Sequence, residues 1–261
     1  HMAIPWSSNI HKLEDTHNNV FISQRVPRRE WSTPDVKEAM YKEWMNLQET
    51  GTYEEVRREP WMTVIPTMWV INRSADDHGK EDGKLKARLV VRGDQDKNEE
   101  EVPCDSPTVD RTTVKMMIAI AANQGWSLRS IDISAAFLQG REMDREVYVQ
   151  PPPEIATPGT VWKLKKGLYG LKEAARLWYD EILAELIRRG GHKLVGDPAC
   201  VVFHVNGTFI GFVIIHVDDI IIGGAPKFVL EMVLHIKARF RVSKDQVERF
   251  IYTGTVSYTH L

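Results

Sequence analysis

Polar and apolar positions along this chain repeat in two rhythms, one of period two and one of period three to four. The helical rhythm opens after Ser32 or Thr33, either of which can cap a helix. Pro34 fits its first turn, Ala39, Met40, Trp44 and Leu47 form its apolar stripe, and Gly51 ends it. WMTVIPTMWVINR alternates as a strand does, RSADDHGKEDGK is a polar connection, and KARLVVRG returns as a second strand. Residues 61–93 are therefore expected to form a hairpin with a long loop. VDRTTVKMMIAIAANQG predicts a helix ending at Gly125, and SLRSIDISAAF predicts a strand followed by a turn at Leu138-Gln139-Gly140. EVYVQPP and TVWKLKK predict a hairpin whose prolines confine it to a sheet edge. A helix is expected from about Lys172 to Arg189, with Trp178, Ile182 and Leu186 on one face. VVFHV and TFIGFVIIHV read as strands joined by Asn206-Gly207, and a last helix runs from about Pro226 to Phe240. The first 30 residues lack periodicity and read as a lead segment. The sum is a mixed α+β chain.

A length of 261 residues, with 43% hydrophobic and 27% charged positions, suits one large soluble domain or two subdomains with a real core. The longest apolar run, near residues 209–223, is broken by two aspartates and is too short to cross a bilayer. Cys104 and Cys200 show no metal-ligand spacing, so free thiols in a reducing compartment are expected. No secretory signal opens the sequence, and His1-Met2 reads as a cloning scar. A net charge of −2 neither demands nor excludes nucleic acid. The distribution says more. KLKKGLYGLKEAAR carries Lys163, Lys165, Lys166, Lys172 and Arg176 against Glu173 alone, and KLKARLVVRGDQDK carries Lys84, Lys86, Arg88, Arg92 and Lys97. Such clusters are more often solvated faces than binding sites, but two of them beside an acidic centre suit a polyanion.

That centre is GFVIIHVDDIIIGG, with Asp218 and Asp219 side by side in one of the most apolar stretches of the chain. The β-branched flanks predict a hairpin with the carboxylates at its tip. Adjacent residues of a straight strand face opposite ways, so both carboxylates can approach one ion only where the backbone turns sharply. A plain turn is the competing reading, although Val-Asp-Asp-Ile is poor chemistry for a tight turn. Asp132, between Ile131 and Ile133, is by itself a strand-end residue or a cap; beside the other two it becomes a third carboxylate. Three such groups close together need a cation, and Mg²⁺, a hard ion that takes oxygen ligands, meets that need.

IDISAAFLQG, EVYVQPP, LKKGLYGLKEAARLWY and HVDDIIIG stand in the order and spacing of the reverse transcriptases of copia-type LTR retrotransposons, which the chain resembles over residues 31–255. KARLVVRGDQ, SPTVDRTT and AMYKEWMNLQETGTYEEV match the same family. The resemblance implies a right-hand polymerase of fingers and palm, the palm an antiparallel sheet backed by helices, with thumb and RNase H absent from this sequence. It divides the chain into a lead segment (1–30), fingers (31–105), palm with the first carboxylate (106–137), a fingers hairpin (138–172), and palm with the start of a thumb connection (173–261). It implies RNA-directed DNA synthesis from dNTPs on an RNA or DNA template with a primer, using two Mg²⁺ ions, for which Mn²⁺ can substitute. Other parts of a Pol polyprotein are implied as partners, and a cytoplasmic virus-like particle as the location, with no membrane.

By the same resemblance Asp132, Asp218 and Asp219 look like the catalytic carboxylates, and the Ile133 carbonyl like a further metal ligand. Lys86 and Arg88 look like residues that reach the triphosphate, and Phe137 like an aromatic gate beneath the nucleotide sugar; without the resemblance Phe137 reads as core. Lys163, Lys165, Lys166, Lys172, Arg176 and His216 are the expected nucleic-acid contacts. Two positions depart from the family pattern. His216 stands where Tyr is usual, and Glu173 puts an acid near the nucleotide, where it would need a partner such as Lys172 or Arg176. These departures leave room for a second reading, a catalytically impaired relic that only binds nucleic acid.

Overall fold

A computed structural model of the chain describes residues 24–75, 81–97, 104–247, 249–252 and 255–258. Most of the lead segment, the tip of the first long hairpin and the acidic run at residues 98–103 lie outside the described residues. The chain divides into two compact units, one of His1–Tyr41 with Val70–Arg88, the other of Lys42–Trp69 with Leu89–Leu261.

In the smaller unit, β1 (Gln24–Arg25) pairs antiparallel with Asn72 and Arg73 of β3 (Val64–Ala75), and Val26 N–H donates to the Ile71 carbonyl at 2.8 Å. β4 (Glu81–Val91) pairs with β3, the hairpin expected from the alternating pattern. Lys84, Lys86 and Arg88 are exposed on β4, whereas Ala87 and Leu89 are buried. Helix α1 (Pro34–Glu49) begins in this unit, at the Pro its sequence supplies.

The larger unit holds a sheet in which Val64–Pro66 of β3 run parallel to Tyr148–Gln150 of β6 (Glu142–Gln150). β6 then pairs antiparallel with β7 (Thr160–Lys166), and β7 with β2 (Tyr53–Arg57). The β6–β7 hairpin was expected at a sheet edge, but both its strands are interior. The prolines at 151–153 follow the last residue of β6, so they take no donor from its ladder. β2 was not legible in the sequence, because YEEVR has too few apolar positions to show a period.

The second sheet of this unit has six antiparallel strands in the order β12 (Val242–Val247), β5 (Ser127–Ile133), β11 (Asp219–Gly224), β10 (Thr208–His216), β9 (Asp197–Val205), β8 (His192–Leu194). Strand alternation splits its apolar residues between two cores. On one face Ile131, Ile133, Val213, Ile215, Ile220 and Ile222 pack with residues of α3 (Ala174–Arg188) and α4 (Pro226–Arg239). On the other, Leu128, Phe212, Ile214 and Ile221 pack with Val114, Met117 and Ala121 of α2 (Arg111–Asn123). Helix α2 is capped by Asp110, whose carboxylate accepts from Thr112 N–H at 2.6 Å. Cys104 is an exposed free thiol, and burial pushes the Cys200 thiol up to about 12. A short pair, β13 (Arg249–Tyr252) with β14 (Thr255–Tyr258), follows β12. No helix among the described residues is long and apolar enough to cross a membrane.

Candidate active site

Two hairpins that end β10 show how differently a turn can be made. Asn206 and Gly207 join β9 to β10 with φ of 50° and 78°, the left-handed pair that Asn-Gly supplies at little cost. At the other end of β10, His216 pairs with Asp219, so Val217 and Asp218 are the two turn residues. Val217 has φ 56°, a conformation a β-branched side chain resists at a cost of roughly 1–3 kcal/mol. Tertiary contacts hold it. The indole Nε1 of buried Trp178, on α3, donates to the Val217 carbonyl at 2.6 Å, and Ile133 N–H donates to the Asp218 carbonyl at 2.8 Å. The sharp turn that the Asp-Asp pair required is present, and the sequence hid it because it is imposed from outside the turn.

Register then decides which side chains meet. Asp219 on β11 lies directly opposite Asp132 on β5, and His216 directly opposite Asp219. On the third side of Asp132 stands Lys244 of β12, where the register slips between Val242 and Lys244. Directly opposed residues share a face, so His216, Asp219, Asp132 and Lys244 form one row across four strands. This is the face that Ile214 and Ile221 share with α2, one pair further along, so the row lies at the end of that packed layer. Burial first, then the carboxylates of Asp218 and Asp132, push the Asp219 carboxyl above its ordinary value; His216 and Lys244 pull against them. Ser243, at the slip in β12, donates its hydroxyl to the Asp132 carboxylate, and its Oγ is 3.2 Å from the Asp132 carbonyl oxygen. The strand carrying Ser243 and Lys244 was missed in the sequence, since VSKDQV has no apolar alternation.

The donor set is three carboxylates, hard oxygen ligands of the kind Mg²⁺ takes, and burial first, then its two acidic neighbours, hold Asp219 above its ordinary value. The groups are not drawn into a closed cage. Among the described residues no three His, Cys, Asp or Glu side chains are grouped so that they could hold a metal ion. The Asp132 carboxylate is instead engaged by Ser243 on the edge strand, while Asp218 is exposed at the turn.

Phe137 follows the end of β5 in a 3-10 turn, Ala136–Gln139, and not in the strand expected there. Ala135 starts the turn in the left-handed region, at φ 49° and ψ 49°. The Gln139 side chain pins it, donating to the Ser134 carbonyl at 2.7 Å and accepting from Arg241 N–H at 2.8 Å. Gly140 closes it against α3, where an added Cβ would lie 3.0 Å from Trp178 N and 3.1 Å from Leu177 C. Phe137 is half-buried against the α3–α4 core, with the Tyr169 ring 5.3 Å away. Tyr169 is delivered by GLYG: its carbonyl accepts from Val91 N–H at 2.7 Å, and Gly170, at φ 90°, passes so close to Val91 that a Cβ would meet its carbonyl at 2.1 Å.

Glu173 is buried, and its partner is neither Lys172 nor Arg176. Arg145 Nε donates to it at 2.7 Å, and Arg145 Nη2 donates at 2.5 Å to buried Asp96. Burial works against the Arg145 charge, but the hydrogen bonds to Asp96 and Glu173 prevail and hold the guanidinium above its ordinary value. Arg176 pairs with Asp180 at 2.8 Å, Lys165 with Glu54 at 3.1 Å, and Lys163 with Glu146. Lys166 lines a cavity of about 410 Å³ with Arg141, Arg239 and Arg241 among its walls. Lys172 is exposed just before α3, and Lys86 and Arg88 stand on β4 in the smaller unit.

The chain has known relatives. It is 30% identical over 225 residues to a retrovirus-related Pol polyprotein from transposon RE1 of Arabidopsis thaliana, covering 81% of the chain and 15% of that protein. It is 33% identical over 195 residues to the corresponding polyprotein from transposon TNT 1-94 of Nicotiana tabacum, covering 72% of the chain and 14% of that protein. The chain thus spans about one-seventh of the length of these relatives. A crystal structure of a prototype foamy virus protease-reverse transcriptase overlaps 87% of the chain and 26% of its own, with 13% identity and a TM-score of 0.49. A family model described as reverse transcriptase (RNA-dependent DNA polymerase) matches residues 50–254, a span that includes the whole carboxylate row, the Val217 turn and Phe137. By that match, the chain belongs to the reverse transcriptase family.

Proposed function

We propose that this chain is the fingers and palm portion of a copia-like RNA-directed DNA polymerase, which adds dNTPs to a primer 3′-hydroxyl on an RNA or DNA template. The observation that carries the reading is Asp219 set directly opposite Asp132 beside a strained turn that presents Asp218. The six-stranded sheet is the palm in this reading, and β4 with Lys86 and Arg88 belongs to the fingers. Asp132, Asp218 and Asp219, with the Ile133 carbonyl, would hold two Mg²⁺ ions. When bound, such ions stabilise the attacking and leaving oxygens of an in-line phosphoryl displacement. The protein's own part is positional. Trp178 and Ile133 hold the turn, Ser243 orients Asp132, and Phe137, its ring tilted 57° to that of Tyr169, would offer an aromatic surface beneath a sugar. His216, half-buried beside Asp219, would lie at the primer end. Other segments of a Pol polyprotein would be its partners.

Primer extension on a homopolymer RNA template with Mg²⁺ tests this directly. Incorporation by the chain is expected to exceed that of Asp218→Asn by at least a hundredfold. Incorporation no higher than in the variant would reject the catalytic reading. One observation favours a second reading, a polymerase relic that binds nucleic acid without turnover: the three carboxylates do not converge into a metal cage. Template binding that is retained in Asp132→Asn, with no turnover in either protein, would decide for the relic.

A further inference from the structure

Trp61 opens the stretch whose alternation predicts a strand, yet β3 starts only at Val64 and Trp61 sits in a turn before it. Pro60 takes the second position of that turn, and Met62 N–H donates to the Glu59 carbonyl at 3.1 Å across it. Glu59 N–H meets Met62 Sδ at 3.4 Å, and Arg58 N–H donates to the Gly159 carbonyl at 3.0 Å. The turn is therefore fixed, and it holds the indole outward: Trp61 is 66% exposed. So large a ring left in water forgoes burial that would stabilise the fold. Tyr148 of β6, only 7% exposed, supports it edge to face, with ring centroids 5.6 Å apart and planes at 87°. A cavity of about 190 Å³ is lined by Trp61 and Tyr148 together with Ile65, Val147, Arg145 and Asp96. Arg145 gives its Nε and Nη2 to Glu173 and Asp96, while its Nη1 donates to no described residue. Within residues 57–62, Arg57 and Arg58 are exposed, with Glu59 as the acid.

We propose that Trp61 is a stacking platform for an unpaired base of single-stranded nucleic acid, with Arg57 and Arg58 meeting the phosphates beside it. The proposal rests on the chain being a nucleic-acid binder, which both readings above share, and not on turnover. Every base has a π-face, so an indole holds a single strand without choosing its sequence. A duplex stacks its bases on one another and leaves those in its interior no free face. Arg145 Nη1, at the cavity wall, brings donors for the acceptors on a base edge. The two arginines add attraction for the backbone that falls as salt rises, whereas stacking on a neutral ring does not depend on released counterions.

The test uses the full chain and needs no turnover. Anisotropy of a fluorescein-labelled oligothymidylate gives affinity as a function of salt, and an aminopurine placed in a second oligonucleotide reports stacking by its quenching. Trp61→Ala is expected to weaken single-strand binding about tenfold and to relieve the quenching, with the slope of log K against log salt unchanged. Trp61→Tyr keeps a ring and is expected to bind within about threefold of wild type. Arg57→Gln combined with Arg58→Gln is expected to flatten the salt slope by about one unit, since each phosphate contact on a single strand is worth about 0.7. A long blunt duplex is expected to bind Trp61→Ala as it binds wild type, which also shows that the variant is folded. Trp61→Ala that holds the oligonucleotide as tightly as wild type overturns the proposal, and the indole then suits a protein partner instead. A Tyr variant as weak as the Ala one, or equal losses on duplex and single strand, overturns it too. Wild type that binds no oligonucleotide rejects the nucleic-acid reading and the proposal together. Trp61-dependent binding without primer extension upholds the proposal while the catalytic reading falls.

Discussion

Replacing Arg145 by Met withdraws a cation that bridges two buried carboxylates. Asp96 and Glu173 each expose only 6% of their side chains, and Arg145 exposes 21%. Arg145 reaches them from a stretch of β6 where the register with β7 shifts between Glu142 and Val147, so the fold aims the guanidinium off the regular ladder. Arg145→Met takes from each of these buried carboxylates the guanidinium that hydrogen-bonds it. Breaking a buried ion group in this way costs about 3–5 kcal/mol. In a chain of this size that is a fall in melting temperature on the order of 10 °C. Glu173→Gln is the informative partner. It leaves a neutral Arg145–Asp96 pair and keeps an acceptor at position 173, so its cost is expected to stay within about 1 kcal/mol. Urea unfolding of both variants gives the comparison, and steady-state dNTP incorporation is measured alongside. If Arg145→Met is within about 1 kcal/mol of Glu173→Gln, the group is not desolvated and the reasoning fails. If Glu173→Gln lowers the KM for dNTP tenfold, Glu173 serves the nucleotide and not Arg145.

Three further outcomes are expected. Trp178→Phe removes the hydrogen bond to the strained Val217 turn, at about 0.5–1.5 kcal/mol for the bond plus a small cavity; primer extension should fall further than stability predicts, and a melting shift with unchanged activity would separate Trp178 from the site. Phe137→Val should raise the ratio of rNTP to dNTP incorporation while dNTP use falls modestly; an unchanged ratio with a stability loss of roughly 3 kcal/mol or more would make Phe137 a core residue only. Changing Lys163, Lys165 and Lys166 together to Gln should flatten the slope of log K against log salt for template-primer by about one unit and not three, because lysines already paired with Glu146 and Glu54 release few counterions. A drop of three units would show that those pairs open on binding, and no change at all would place the footprint elsewhere.

The sequence by itself determined the elements whose signal is local. Pro34 and the apolar stripes of the helices, the Asn206-Gly207 turn and the alternating β3–β4 pair were legible, because caps, turns and periodicity act within a few residues. The acidic residues were legible for the same reason: two anions in an apolar run advertise themselves. Tertiary structure alone decided how they are used. The Val217 turn defies its own residue preferences and is held by Trp178 from 39 positions away. β6 and β7 became interior strands because their prolines fall just beyond the ladder. Glu173 found Arg145 across 28 positions and not the neighbouring lysine, since burial selects the guanidinium that can satisfy two carboxylates at once. Ser243 and Lys244 reached the site through a polar edge strand with no periodicity to reveal it, where a register slip, a property of pairing between strands, set which side chain meets Asp132.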